Sequence, residues 1–138
     1  MKDLHDGNAL IATVDDDEAV RSSISSLVRS VGYRCIGFDS AEAFLESEGL
    51  CNTDCALLDI RMPGMDGLDL HSTLGEMKCE IPVIYVTGSS EAGLRERAFR
   101  QGAVAYLAKP FGDEDLLDAI DRALCGGPQA VQPASGNR

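Results

Sequence analysis

Short apolar runs alternate with amphipathic helical segments five times along this chain, and that alternation restricts the fold more than any other feature. Residues 9–14 (ALIATV), 33–38 (YRCIGF), 55–60 (CALLDI), 81–87 (IPVIYVT) and 103–108 (AVAYLA) read as strands. They are short and rich in β-branched or aliphatic residues, which suits strands covered on both faces. After the first, Val20, Ile24, Leu27, Val28 and Val31 recur at helical spacing, and Gly32 follows as a stop. Further helices are expected over 41–48, with Asp39 or Ser40 as N-cap, and over 68–74, 91–101 and 113–124. In the last of these, Leu116, Leu117, Ile120 and Leu124 share one face. Repeated strand–helix units predict an α/β fold with a parallel five-stranded sheet between two helical layers. Right-handed crossovers leave few topologies, and a flavodoxin-like (βα)5 domain of strand order 2-1-3-4-5 is the expectation.

The alternation fills residues 9–125, leaving 1–8 as an N-terminal extension and 126–138, rich in Gly, Pro, Gln and Ser, as a flexible tail or linker. A length of 138 residues suits one domain. No apolar run reaches the length of a membrane span, and MKDLHDGNAL does not resemble a secretory signal, so a cytoplasmic protein is expected. The five cysteines (Cys35, Cys51, Cys55, Cys79 and Cys125) match no zinc spacing, and His5 and His71 complete no ligand cluster. Reduced thiols are the expectation. Twelve Lys and Arg against 23 Asp and Glu leave a net charge of −11, which disfavours direct nucleic acid binding and favours a cation or a basic partner surface.

In a fold of this order, functional side chains gather where strands end at their C-terminal edge. Strand one ends in Asp15, Asp16 and Asp17, and strand three delivers Asp59. Strand four delivers Thr87, followed by Gly88 and Ser89, and strand five delivers Lys109, then Pro110. Each has an ordinary reading when taken alone. The acidic triplet is a plausible helix cap, MPGMDG a turn, Thr87 a β-branched strand residue, Lys109 a solvated surface cation and Tyr106 a core ring. Together they describe one pocket. Clustered carboxylates repel, and a hard divalent ion relieves the conflict; Mg²⁺ is held by one or two carboxylates with water and phosphate oxygens. A lysine and a hydroxyl beside it suit phosphoryl chemistry, with Asp59 the best-placed nucleophile.

The segments VDDDEAVR, LLDIRMPGMDGLDL, VTGSS and YLAKPF, in this order and spacing, resemble the receiver domain of bacterial two-component response regulators. The likeness covers residues 9–124 and is greatest to receivers of nitrogen-fixation type transcriptional regulators. It implies a signalling switch rather than a conventional enzyme: a domain catalysing only its own phosphorylation and dephosphorylation. On this resemblance Asp59 is the phosphoacceptor, while Asp15 and Asp16 form the acid pair, with Asp16 a direct metal ligand. The Arg61 backbone carbonyl completes the protein's share of the Mg²⁺ shell, and Thr87 and Lys109 contact the phosphoryl group. The Lys109–Pro110 peptide is cis, and Tyr106 is the aromatic switch residue. The implied phosphodonor is a sensor histidine kinase or a histidine phosphotransfer protein, docking near the first helix with its outward Ser22, Ser23, Ser26, Arg29 and Ser30. Arg95, Arg97 and Arg100, with Tyr106, mark a candidate surface for a phosphorylation-dependent homodimer or output partner, against the ordinary reading of a solvated face.

Two other classes compete. An Asp-nucleophile phosphohydrolase wants a second acid two residues past the nucleophile, where this chain has Arg61. A flavin carrier wants a Ser/Thr/Gly phosphate loop after strand one, where this chain has DDDE. Within the switch reading, the output is either a domain beyond the linker or a protein contact made by a receiver standing alone.

Overall fold

A computed structural model describes residues 9–89 and 91–126. The elements, in chain order, are β1 (Leu10–Val14), α1 (Glu18–Ser30), β2 (Arg34–Phe38), α2 (Ala41–Leu45), a single 3₁₀ turn (Leu50–Asn52), β3 (Cys55–Leu58), α3 (Gly67–Glu76), β4 (Val83–Thr87), α4 (Leu94–Arg100), β5 (Ala105–Ala108) and α5 (Asp113–Gly126). The five strands form one parallel sheet in the order β2-β1-β3-β4-β5, the topology expected from the alternation.

Strand periodicity divides the core in two. Ala12, Val14, Ala56, Leu58, Val83 and Tyr85 face one side, packing against Phe44 of α2, Leu68, Leu70 and Leu74 of α3, and Leu94 and Ala98 of α4. Ile11, Leu57, Ile84 and Val86 face the other, against Ile24 and Val28 of α1 and Leu116, Ala119 and Ile120 of α5. Each fully buried Leu or Ile contributes roughly 1.5–3 kcal/mol relative to exposure, so the apolar positions on both faces oppose any slip in strand register.

Caps set the helix starts. Asp17 accepts the Ala19 N–H at α1, Ser40 accepts the Ala43 N–H at α2, and Asp66 accepts the Asp69 N–H at α3. Of the two N-cap candidates for the second helix, Ser40 is the one used. That helix ends at Leu45, earlier than apolar spacing suggests, and Gly49, at φ 76°, turns the chain into the 3₁₀ turn. The fourth helix begins at Leu94 instead of Glu91, because Gly93 precedes it in the left-handed conformation. Strand β4 begins after Pro82, whose carbonyl accepts the Ala56 N–H. At its far end α5 continues to Gly126; residues 1–8 and 127–138, on which the terminal boundaries were drawn, lie outside the described residues.

The expectation of reduced thiols is corrected at one pair. Cys51 and Cys79 form a disulfide across a sequence separation of 28, with Cα atoms 5.1 Å apart, while Cys35, Cys55 and Cys125 are free. Cys51 lies just before β3 and Cys79 just before β4, and those strands are neighbours. The pairing follows from the sheet order, which local cysteine spacing does not encode.

Candidate functional site

The C-terminal edge of the sheet gathers Asp15, Asp59, Thr87 and Lys109. Asp15 is 2 % exposed, and its carboxylate accepts the Asp17 N–H through Oδ1 at 2.9 Å and Lys109 Nζ through Oδ2 at 2.8 Å. Its backbone is held from two sides: its N–H donates to Phe38 O, and its carbonyl accepts from Arg21 Nη1 at 2.6 Å. Asp59 continues the sheet ladder past β3, donating its N–H to Val14 O at 3.0 Å. Its Oδ2 lies 3.4 Å from Lys109 Nζ, and its Oδ1 is buried without a hydrogen-bond partner among the described residues.

Asp16 is exposed, but a carboxylate oxygen from each of Asp15, Asp16 and Asp59 lies within 4.8 Å of the other two. The acidic triplet therefore splits its work: Asp17 caps α1, and its two predecessors belong to the cluster. Gly67 is the reason the turn approaches so closely. A Cβ there would stand 2.3 Å from the Asp59 carbonyl oxygen, so any side chain would displace the loop that carries Asp59. Glu42, reaching from α2, accepts the Met65 N–H at 3.1 Å and steadies the same turn.

Burial, then the neighbouring Asp15 charge, pushes the Asp59 carboxyl above the usual range, with Lys109 and the nearby Thr87 hydroxyl opposing the rise. Burial alone would lower the Lys109 pKa, but Asp15 and Asp59 together outweigh it and raise it. Lys109 thus stays cationic at neutral pH. One lysine against three carboxylates leaves the cluster with excess negative charge. Three carboxylates within reach of one another, one of them with an unpartnered oxygen, are a donor set that fits a hard divalent cation.

Thr87 is fully buried, and its Oγ1 accepts the Ser89 N–H at 3.2 Å. Beside it, a Cβ at Gly88 would meet nothing nearer than Lys109 Cδ at 3.8 Å, so the mouth of the pocket has room. The Lys109 N–H donates to Thr87 O at 2.9 Å, which ties β5 to β4, and the Lys109–Pro110 peptide is cis. At the rim the exposed Arg61 side chain forms an ion pair with Glu91.

Tyr106 is half-buried on β5, paired in register with Tyr85 of β4, their ring centroids 6.3 Å apart. From outside, the Arg95 guanidinium stands 5.8 Å from the Tyr106 ring centroid and 5.1 Å from that of Phe99. Arg97 and Arg100 are exposed on the same helix. Sequence reasoning missed Arg21, Glu42 and the half-buried His71–Tyr85 contact. Glu42 and the His71–Tyr85 contact depend on which elements become neighbours, Arg21 depends on how the β1–α1 turn is folded, and none carries a local motif. Among the described residues no helix is long and apolar enough to cross a membrane.

Comparison with known proteins agrees with this arrangement. The model of the response regulator receiver domain matches residues 11–121. The response regulator protein TmoT of Ectopseudomonas mendocina is 43% identical over 131 residues, covering 95% of this chain and 60% of that protein. Nodulation protein W of Bradyrhizobium diazoefficiens is 41% identical, over 81% of this chain and 49% of its own length. The chain thus spans about half to three-fifths of these relatives. Among solved structures, the response regulator StyR superposes with a TM-score of 0.81 at 35% identity, covering 89% of this chain and 62% of that one. The crystal structure of FixJ-N superposes at 0.76 and 34% identity, covering 90% of this chain and 95% of that one. The sheet order, the acidic cluster with its lysine, and a family match over most of the folded residues agree: this chain belongs to the response regulator receiver domain family.

Proposed function

We propose that this chain is a phosphorylation-activated switch in which Asp59 accepts a phosphoryl group from the phosphohistidine of a sensor histidine kinase or a histidine phosphotransfer protein. The observation that carries the reading is Asp59 itself, clustered with Asp15 and Asp16, its Oδ2 3.4 Å from Lys109 Nζ and its Oδ1 buried without a hydrogen-bond partner among the described residues. A nucleophile must keep a lone pair free, and here Lys109 and the backbone hold the rest of the residue while Oδ1 accepts no hydrogen bond from the described residues.

The carboxylates of Asp15, Asp16 and Asp59 and the backbone carbonyl of Arg61 would hold Mg²⁺, which would supply charge neutralisation to the incoming phosphoryl oxygens. The chain's own residues do the remaining work. Asp59 Oδ1 attacks phosphorus in line as the P–N bond to the donor histidine breaks. Lys109, cationic between two carboxylates, binds one phosphoryl oxygen, and the Thr87 hydroxyl turns to donate to another. The product carries about −1.5 to −2 charge by analogy with other phosphorylated side chains. As Thr87 moves toward it, space opens for Tyr106 to rotate inward, which biases a two-state equilibrium on the α4–β5–α5 face. Water later hydrolyses the acyl phosphate, and the Arg61–Glu91 pair borders its path.

That face, with Arg95 over Tyr106 and Arg97 and Arg100 on the same helix, is the surface offered to an output domain of a longer protein, to a partner, or to a second copy of the chain. A transcriptional output fits relatives that include transcriptional regulatory protein FixJ of Bradyrhizobium diazoefficiens, of which this chain covers 56%. A cytoplasmic setting, where such phosphodonors act, goes with this reading, and so does an output made through protein rather than by this acidic chain on DNA. The test is intact mass after incubation with acetyl phosphate and Mg²⁺. One added phosphoryl is expected, lost in Asp59→Asn and in EDTA; an adduct that persists in Asp59→Asn refutes the assignment.

A further inference from the structure

Tyr85 lies in the middle of β4 at 0 % exposure, and its hydroxyl is therefore a polar group that needs a partner inside the core. His71 of α3 supplies one: its Nδ1 is 2.8 Å from the hydroxyl, and the two ring centroids are 5.7 Å apart. Burial pushes the His71 pKa down to about 4, so the ring is neutral near pH 7 and can make this bond without carrying charge into the core. The Gln101 amide, beside the same hydroxyl, also donates to Leu68 O at 3.1 Å, joining the end of α4 to the start of α3. The pair lies outside the acidic pocket and behind the arginine face, where the Arg97 charge reaches the Tyr85 hydroxyl.

Its place in the sheet suggests a use. Tyr85 and Thr87 are two residues apart on β4 and so share a face, and Tyr85 is the register partner of Tyr106. Tyr85 is thus the floor beside which the Tyr106 ring rests. We infer that His71 and Tyr85 are positioning residues for the switch: their hydrogen bond fixes the floor of the space that Tyr106 enters when Thr87 moves. This rests on the switch reading above and names two residues through which it acts. The bond bears unequally on the two positions of Tyr106. In this structure the Tyr106 ring has Arg95 over it as well as Tyr85 beside it, whereas a ring turned inward gives up the Arg95 contact and depends on the Tyr85 side alone. Loss of the pin therefore penalises the inward position more.

The test is NMR of ring-¹³C-labelled tyrosine in the whole chain, with beryllofluoride and Mg²⁺ as the phosphoryl mimic. There are three tyrosines, Tyr33, Tyr85 and Tyr106, and Tyr→Phe variants assign them. In the wild type the Tyr106 signal is expected to move as the mimic is added. In Tyr85→Phe and in His71→Leu the midpoint of that movement should rise about two- to tenfold, the factor that a typical buried hydrogen bond's net worth allows. The double variant should be no worse than the single ones, and His71→Asn, which keeps a polar group near the Nδ1 position, should recover part of the loss. Amide spectra of the strands report whether each variant is folded. Midpoints unchanged in folded single variants, or losses that simply add in the double variant, would overturn the inference while leaving the switch reading intact. A wild-type Tyr106 signal that stays still while the mimic binds would overturn the switch reading and this one with it.

Discussion

Replacing Asp59 with Asn should make the metal-free protein more stable while abolishing its phosphorylation. At an effective dielectric constant near 20, Asp15 and Asp59 oxygens within 4.8 Å repel by about 3.5 kcal/mol or more. Lys109 at 3.4 Å attracts Asp59 by about 5 kcal/mol on the same scale. These two nearly offset. What remains is the desolvation of the unpartnered Oδ1, about 1–3 kcal/mol, and a contribution of about 1 kcal/mol from exposed Asp16. The expected gain for Asp59→Asn is therefore about 0.5–2.5 kcal/mol, on the side of stabilisation. Urea unfolding in EDTA at pH 7.5 measures it; with slopes of about 1–3 kcal/mol/M the midpoint should rise by several tenths of a molar or more. Adding Mg²⁺ to ten times its dissociation constant should then stabilise the wild type by about 1.4 kcal/mol and the variant far less. Acidification gives the sign. The raised pKa of Asp59 means that the folded state holds its proton more firmly than the unfolded chain does, so the penalty is present above the folded pKa and disappears as pH falls through it. The advantage of the variant should shrink accordingly. A variant less stable than wild type in EDTA, or equal stabilisation of both by Mg²⁺, would refute the reasoning.

His71 works in the opposite sense, since its pKa falls from 6.5 to about 4 on folding. The unfolded chain binds the proton first, so stability is complete above pH 6.5 and is lost as pH falls toward 4, by up to about 1.4 kcal/mol per unit. His71→Leu should flatten that slope in urea midpoints taken between pH 7 and 5, and an unchanged slope would remove His71 as its source. Gly67→Ala should cut the yield of phosphorylated protein at least tenfold, because a Cβ 2.3 Å from the Asp59 carbonyl must shift the loop, while costing about 1–3 kcal/mol of stability. Phosphorylation at the wild-type rate would contradict it. Arg95→Ala removes a cation–π contact worth about 0.5–1 kcal/mol from the outward Tyr106 ring, so beryllofluoride should bind about two- to fivefold more tightly by calorimetry. Weaker binding would show that Arg95 does not hold the ring outward.

The chain itself determined the sheet order and the membership of the pocket. Five apolar runs separated by helical periods admit few right-handed topologies, and in those topologies Asp15, Asp16, Asp59, Thr87 and Lys109 meet because each ends or follows a strand. Periodicity and strand-end position are local properties, so they can be read from order along the polymer. Only the tertiary structure decided the division of labour within DDDE, where Asp17 turns to cap α1 while its neighbours stay with the cluster. It also decided the Cys51–Cys79 pairing, the grip of Arg21 on the Asp15 carbonyl and the His71–Tyr85 bond. The disulfide and the His71–Tyr85 bond depend on the separation of atoms on elements that become neighbours only after the crossovers close, and the Arg21 contact, six residues long, on how the β1–α1 turn is folded; no spacing along the chain carries those distances.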